Sequence, residues 1–136
     1  MTVGEAVIAK MLGSTAITNV VSSRIHTAKA PVQYRNSSYI WLNRQSDTRD
    51  IAFDGPTGIR RANFSVECVA NTVSAAIDLA DIVRARLDGS ASTSSSPVVV
   101  IMLVEDQDDE YVPRNTGEDD GFYVSALSLD CIYYST

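Results

Sequence analysis

The sequence predicts an α+β fold, a mostly antiparallel β-sheet of about four to five strands with two α-helices packed on one face. Three observations predict it. Residues 61–70 alternate apolar and polar side chains with a period of two, the mark of a sheet with one buried face. Two other stretches repeat their apolar residues at helical spacing, one at the N-terminus and one after residue 72. The length of 136 residues fits one core, so a single domain over residues 1–136 is expected.

The first helix is announced by Thr2 and Glu5, which fit a capping box in which hydroxyl and carboxylate satisfy each other's free N–H groups. Val7, Ile8, Met11 and Leu12 then fall on one face, and Gly13 is expected to supply a left-handed stop. Residues 14–21 add a short helical turn before a strand over residues 24–29, interrupted by Pro31. Residues 39–43, aromatic and branched, read as a second strand. The run Asp54-Gly55-Pro56-Thr57-Gly58 is dense in turn formers. In the strand that follows, Ala62, Phe64, Val66, Cys68 and Ala70 point one way and Arg61, Asn63, Ser65 and Glu67 the other.

Asn71 or Thr72 caps the strongest helical pattern of the chain. Val73, Ala76, Ile77, Ala80, Val83 and Leu87 form its apolar stripe, and Gly89 closes it. Residues 90–97, rich in Ser, Ala and Thr, read as a flexible loop ended by Pro97. Residues 98–104 form a continuous apolar run, expected to be a strand buried on both faces. A second flexible loop is expected over residues 105–121, and a last long strand over residues 122–134.

Charge is unevenly distributed. The net charge is −6, yet residues 105–120 hold eight acids and only Arg114 as a base, leaving a net +1 on the rest of the chain. An acidic chain is a poor candidate for coating DNA or RNA, because such proteins gain affinity by neutralising phosphates. The segment also fails the calcium pattern: Asp106-Gln107-Asp108-Asp109-Glu110-Tyr111 carries Tyr where the calcium loop requires Gly. A solvated acidic loop is the reading it supports best. Asp106, Asp108, Asp109, Glu110, Tyr111 and Arg114 are candidates for an assembly surface, or for a lumen should copies of the chain form a ring, rather than for a metal site.

No catalytic constellation is visible. His26 is the sole histidine, no cysteine lies near it in sequence, and neither a nucleophile elbow nor a phosphate-binding glycine motif occurs. Arg60-Arg61 and Arg84-x-Arg86 read as polar faces of their elements. Cys68 and Cys131 are too few for a disulfide scaffold or a four-thiolate zinc site and read as buried free thiols. No leader-like or membrane-spanning run is present, so a soluble protein made in a reducing cytoplasm is expected. No enzyme activity and no cofactor are expected.

Residues 51–72 read I-A-F-D-G-P-T-G-I-R-R-A-N-F-S-V-E-C-V-A-N-T, and A-A-I-D-L-A-D-I-V-R-A-R-L-D-G follows. This resembles the tail-completion proteins, or tail terminators, of long-tailed phages and phage-derived gene transfer agents. The family pattern is D-G-x-x-G, an alternating strand, then a helix carrying L-A-D-x-[VL]-R-x-x-L-D-G. It falls here on Asp54, Gly55, Gly58, Leu79, Ala80, Asp81, Val83, Arg84, Leu87, Asp88 and Gly89. The order of elements agrees over nearly the whole chain, and the match departs most in the Ser-rich and acidic segments.

The resemblance implies a structural virion protein assembled in the host cytoplasm. It implies a homo-oligomeric ring of six copies that caps the tail tube, halts its polymerisation and joins the tail to the head connector. Its partners would be the major tail tube protein and a head-completion or stopper protein, with DNA passing through unbound and no membrane involved. Asp54, Gly55 and Gly58 would shape a hairpin, and the helix stripe would pack on the sheet. Physics is compatible: with a radius of gyration of about 14 Å, six copies can surround a channel wide enough for a duplex. Two alternatives stay open, another neck component such as a head-completion or stopper protein, and a small ligand-binding or hydrolase domain using the acidic segment.

Overall fold

The computed structural model describes residues 3–27, 38–52, 55–91, 98–112 and 122–134. Among these described residues, three helices and five strands follow one another as α1 (Val3–Leu12), α2 (Thr15–Val21), β1 (Ile25–His26), β2 (Tyr39–Ala52), β3 (Gly55–Ala70), α3 (Val73–Leu87), β4 (Val98–Val112) and β5 (Phe122–Tyr134). The strands form one sheet in the order β1-β2-β3-β5-β4, antiparallel except where β1 meets β2. The α+β class and the alternation of β3 are as the sequence predicts. The helix count is not, because residues 14–21 are more than a turn.

In α1 the buried residues are Val3, Ala6, Val7 and Met11, a helical stripe that leaves Leu12 exposed. Thr2 lies outside the described residues, so its share of the capping box does too. Gly13 is not left-handed; among the described residues only Ser22 and Gly89 have positive φ. Its need for a missing side chain comes from packing instead. A Cβ there would stand 2.8 Å from Arg86 Nη2, while Arg86 Nε donates to the Lys10 carbonyl at 2.9 Å and so satisfies an orphan acceptor of the last helical turn.

Ser14 then caps α2, its Oγ accepting from the Ile17 N–H at 3.4 Å. Ile17 and Val21 face the core. Ser22, at φ 54°, turns the chain out of the helix into β1. That strand is shorter than the sequence suggests, with Ile25 and His26 pairing parallel to Ile40 and Trp41. Pro31 lies outside the described residues.

β2 and β3 form a long hairpin with register Ile40↔Cys68, Leu42↔Val66 and Ala52↔Gly55, interrupted by irregularities at 44/46 and 49/51. Gly55 and Gly58 thus belong to β3 itself, directly past the turn; Asp54 lies outside the described residues. Ala62, Phe64, Val66 and Cys68 are buried with their β5 partners Cys131, Leu129, Leu127 and Ser125. This is the face the helices cover, and both cysteines are free thiols within it.

Thr72 caps α3, its Oγ1 accepting from the Ala75 N–H at 3.1 Å. The buried stripe is Ala76, Leu79, Ala80, Val83 and Leu87. Val73 is exposed and Ile77 half-buried, so the stripe lies one position round from the pattern read in the sequence. Gly89, at φ 74°, closes the helix, and its N–H donates to the Met102 carbonyl at 2.7 Å. Ser90 is part of this join rather than of a flexible loop, pairing with Met102 as an isolated bridge; residues 92–97 lie outside the described residues.

β4 overturns two expectations. It continues to Val112, so residues 105–112 are strand, not flexible loop, and only residues 113–121 of that segment lie outside the described residues. It is also an edge strand covered on one face alone: Met102 is fully buried while its neighbour Leu103 is exposed. An edge position tolerates charge that a central strand would not, because the side chains keep water on one side. Thirteen register pairs with β5 outweigh the poor strand propensity of Asp and Glu.

Candidate assembly surface

The five acids of β4 divide by register. Val104↔Leu129 precedes an irregularity at Glu105, after which Gln107 faces Leu127, Asp109 faces Ser125 and Tyr111 faces Tyr123. These three stand on the helix side of the sheet. Asp106, Asp108 and Glu110, opposite Ser128, Ala126 and Val124, stand on the open side.

On the helix side a polar chain ties the edge to the core. Arg84 of α3 hydrogen-bonds through Nη2 to Gln107 Oε1. Gln107 Nε2 donates to Ser125 Oγ at 3.0 Å, and Ser125 Oγ donates to Asp109 Oδ1 at 2.6 Å. Ser125 is fully buried, so this chain satisfies a hydroxyl that water does not reach. Beyond it the rings of Tyr111 and Tyr123 meet at a tilt of 51° with centroids 4.9 Å apart. With Val73, Ala76 and Ile77 they line an open groove of about 180 Å³ bordered by Asp109 and Glu110.

On the open side, Glu67 of β3 faces the same row as Ala126 and Asp108. Burial, then repulsion from Glu110, raises its carboxyl pKa above the usual range. Asp130, almost wholly buried, pairs with Arg61 Nε at 3.4 Å through Oδ2. Its Oδ1 and the Trp41 Nε1 are buried without a hydrogen-bonding partner among the described residues.

The opposite edge carries a cluster that the sequence did not reveal. Asp47 of β2 accepts from Arg60 Nε at 3.2 Å and from Tyr133 Oη at 2.7 Å, with Arg44 Nη1 3.6 Å away. Burial and the bond to Asp47 raise the Tyr133 pKa. Residues from β2, β3 and β5 meet here because one extra residue in β2, between Arg44 and Ser46, brings Asp47 opposite Ala62. No local periodicity signals such a meeting.

Of the other predicted positions, Leu79, Ala80, Val83 and Leu87 are core residues and Gly89 is a helix stop. Arg114 lies outside the described residues. Among the described residues no group of His, Cys, Asp and Glu is arranged to hold a metal ion. Burial pushes the Cys131 thiol up to about 12 and Cys68 higher still, so neither forms a nucleophilic thiolate near neutral pH. No described helix is long and apolar enough to cross a membrane.

No protein-family model matches the chain, and no curated protein matches it. Among solved structures, it is similar to a chain of the virion of a native gene transfer agent particle. The likeness has a TM-score of 0.79 at 14% identity and covers 98% of this chain and 95% of that one. At that identity it establishes a shared fold.

Proposed function

We propose that this chain is a structural virion protein of a long-tailed phage or gene transfer agent, and that it serves as the tail terminator. Six copies form a ring that caps the tail tube, stops its polymerisation and meets the head connector. The observation that carries this reading is the near end-to-end likeness in fold to a chain of a gene transfer agent virion. The tail-terminator pattern over Asp54, Gly55, Gly58 and the residues from Leu79 to Gly89 supports the finer assignment.

Its partners are then its own copies, the major tail tube protein and a head-completion or stopper protein. DNA passes through without specific binding, which suits an acidic subunit that does not grip phosphate. We assign it no catalysis, cofactor or metal. His26 sits in a two-residue strand, and both thiols are held protonated by burial.

The test is electron microscopy of the purified protein mixed with tail tubes and with connectors. Rings at one end of the tubes, and tubes of uncontrolled length when the protein is withheld, are expected. Binding to connectors alone would move the assignment to a stopper protein. Hydrolysis that disappears in His26→Ala would overturn the non-enzymatic reading.

A further inference from the structure

We propose that the outer margin of β4 takes up an extended cationic segment of another protein as an added strand. One apolar side chain of that segment seats in the groove between β4 and α3. The inference deepens the virion-assembly reading above and rests on it for the source of the partner.

An unpaired strand edge and an apolar groove lie side by side here. β4 is a marginal strand whose start is occupied: Met102 pairs with Ser90, and the Val104 N–H donates to Asp88 Oδ1 at 3.0 Å. Over residues 105–112 no described strand pairs with its outer side. The main chain there offers donors and acceptors that an incoming strand can complete. The groove opens against the same stretch, between Tyr111 and Tyr123 on the sheet and Val73, Ala76 and Ile77 on α3. Val73 and Tyr111 present exposed apolar surface to it. Its volume of about 180 Å³ suits one large side chain, since a cavity of about 150 Å³ admits a benzene-sized group.

Charge decides what kind of segment fits. Residues 105–112 include Glu105, Asp106, Asp108, Asp109 and Glu110 and no Lys or Arg. All of these acids are exposed, and among the described residues none is held in an ion pair. Asp109 and Glu110 border the groove itself. An added strand sets a side chain about 5 Å from each of them on the same face of the sheet. Its residues opposite Asp108 and Glu110 stand on the open side, and those opposite Asp109 and Tyr111 on the helix side. For an antiparallel partner, the more stable arrangement, the complementary order is one apolar residue followed by three cations. A second copy of this chain fits less well. The described arginines of its sheet are engaged, Arg44 and Arg60 with Asp47 and Arg61 with Asp130. The segment is therefore assigned to a different protein of the particle.

The probe is a capped, fluorescein-labelled peptide, Thr-Leu-Lys-Lys-Lys-Thr, titrated into the full chain and followed by anisotropy and amide NMR shifts. Binding is expected to shift residues 105–112 together with Val73 and Ile77, and to weaken as salt rises. Asp108→Asn with Glu110→Gln, its fold checked by circular dichroism, is expected to weaken binding at least tenfold. Replacing the peptide's Leu by Ser is expected to do the same. Leu12→Ser, at an exposed apolar residue of α1, is expected to change nothing. Mixed with tail tubes and with connectors, the double variant is expected to form rings like the parent and to lose one of the two contacts. No shift over residues 105–112 at millimolar peptide, or equal binding by the double variant, overturns the docking site. Rings of the double variant that hold both contacts overturn it too. Loss of the rings themselves makes a second copy the occupant and overturns the assignment to another protein. Peptide binding by a parent chain that engages neither tubes nor connectors keeps the docking site and overturns the virion reading instead.

Discussion

Tyr133 Oη reaches over β3 to donate a 2.7 Å hydrogen bond to Asp47 Oδ2, tying the fifth strand to the second across the sheet. Tyr133→Phe removes that bond alone, since Arg60 and Arg44 still neutralise Asp47. A loss of about 1 kcal/mol is expected in urea unfolding, the usual scale for one partly solvated bond to a charge. In a spectrophotometric titration, Asp47→Asn should lower the Tyr133 pKa, leaving the rise due to burial opposed by the nearby Arg60 and Arg44 charges. An unmoved titration would mean that the contact is absent in solution.

Gly13 is expected to resist even a methyl group. Gly13→Ala brings its Cβ within 2.8 Å of Arg86 Nη2 and competes with the bond that Arg86 makes to the Lys10 carbonyl. Because the clash is with the tip of a side chain, the cost should be modest, about 1 kcal/mol. In an Arg86→Ala background the same change should be neutral or stabilising, as Gly→Ala is where φ is ordinary. A double-mutant cycle by thermal melting checks the coupling, and additive effects would refute it.

The α3 stripe gives a contrast between two valines. Val83 is fully buried and Val73 is 48% exposed. Val83→Asp should cost more than about 4 kcal/mol by placing an unpaired charge in the core. Val73→Asp should stay within about 0.5 kcal/mol. Equal melting temperatures for the two variants would show that the helix packs on another face.

Glu67 makes stability depend on pH. Its raised pKa means that the folded chain holds this proton more tightly than the unfolded chain does. The contribution is therefore fully present below the ordinary carboxyl value and is lost as pH rises through the raised one. Glu67→Gln should melt higher than the parent near pH 7 and match it in acid, where both side chains are neutral. Glu110→Gln should reproduce a smaller part of the gain, since repulsion from Glu110 is the lesser cause. Parity of Glu67→Gln with the parent near pH 7 would contradict the assignment.

What the sequence determined by itself is whatever depends on neighbours along the chain. The alternation from Ala62 to Ala70 specified a one-faced strand, Thr72 and Gly89 bounded α3, and residues 122–134 read as one strand. These follow from caps, turns and periods that act within a few residues. Even the candidate acids were visible as a run, and so were the buried thiols.

Tertiary structure decided which strands lie at the margins, and with that the state of residues 105–112. A run of five acids has no strand preference of its own; register pairing with β5 holds it extended, and its place at the edge keeps the charges in water. The same holds for Gly13, whose constraint comes from Arg86 on another helix, and for Asp47, whose partners arrive from β3 and β5. Contacts between residues far apart in sequence leave no local period, because the energy that fixes them resides in the packed sheet and not in any one segment.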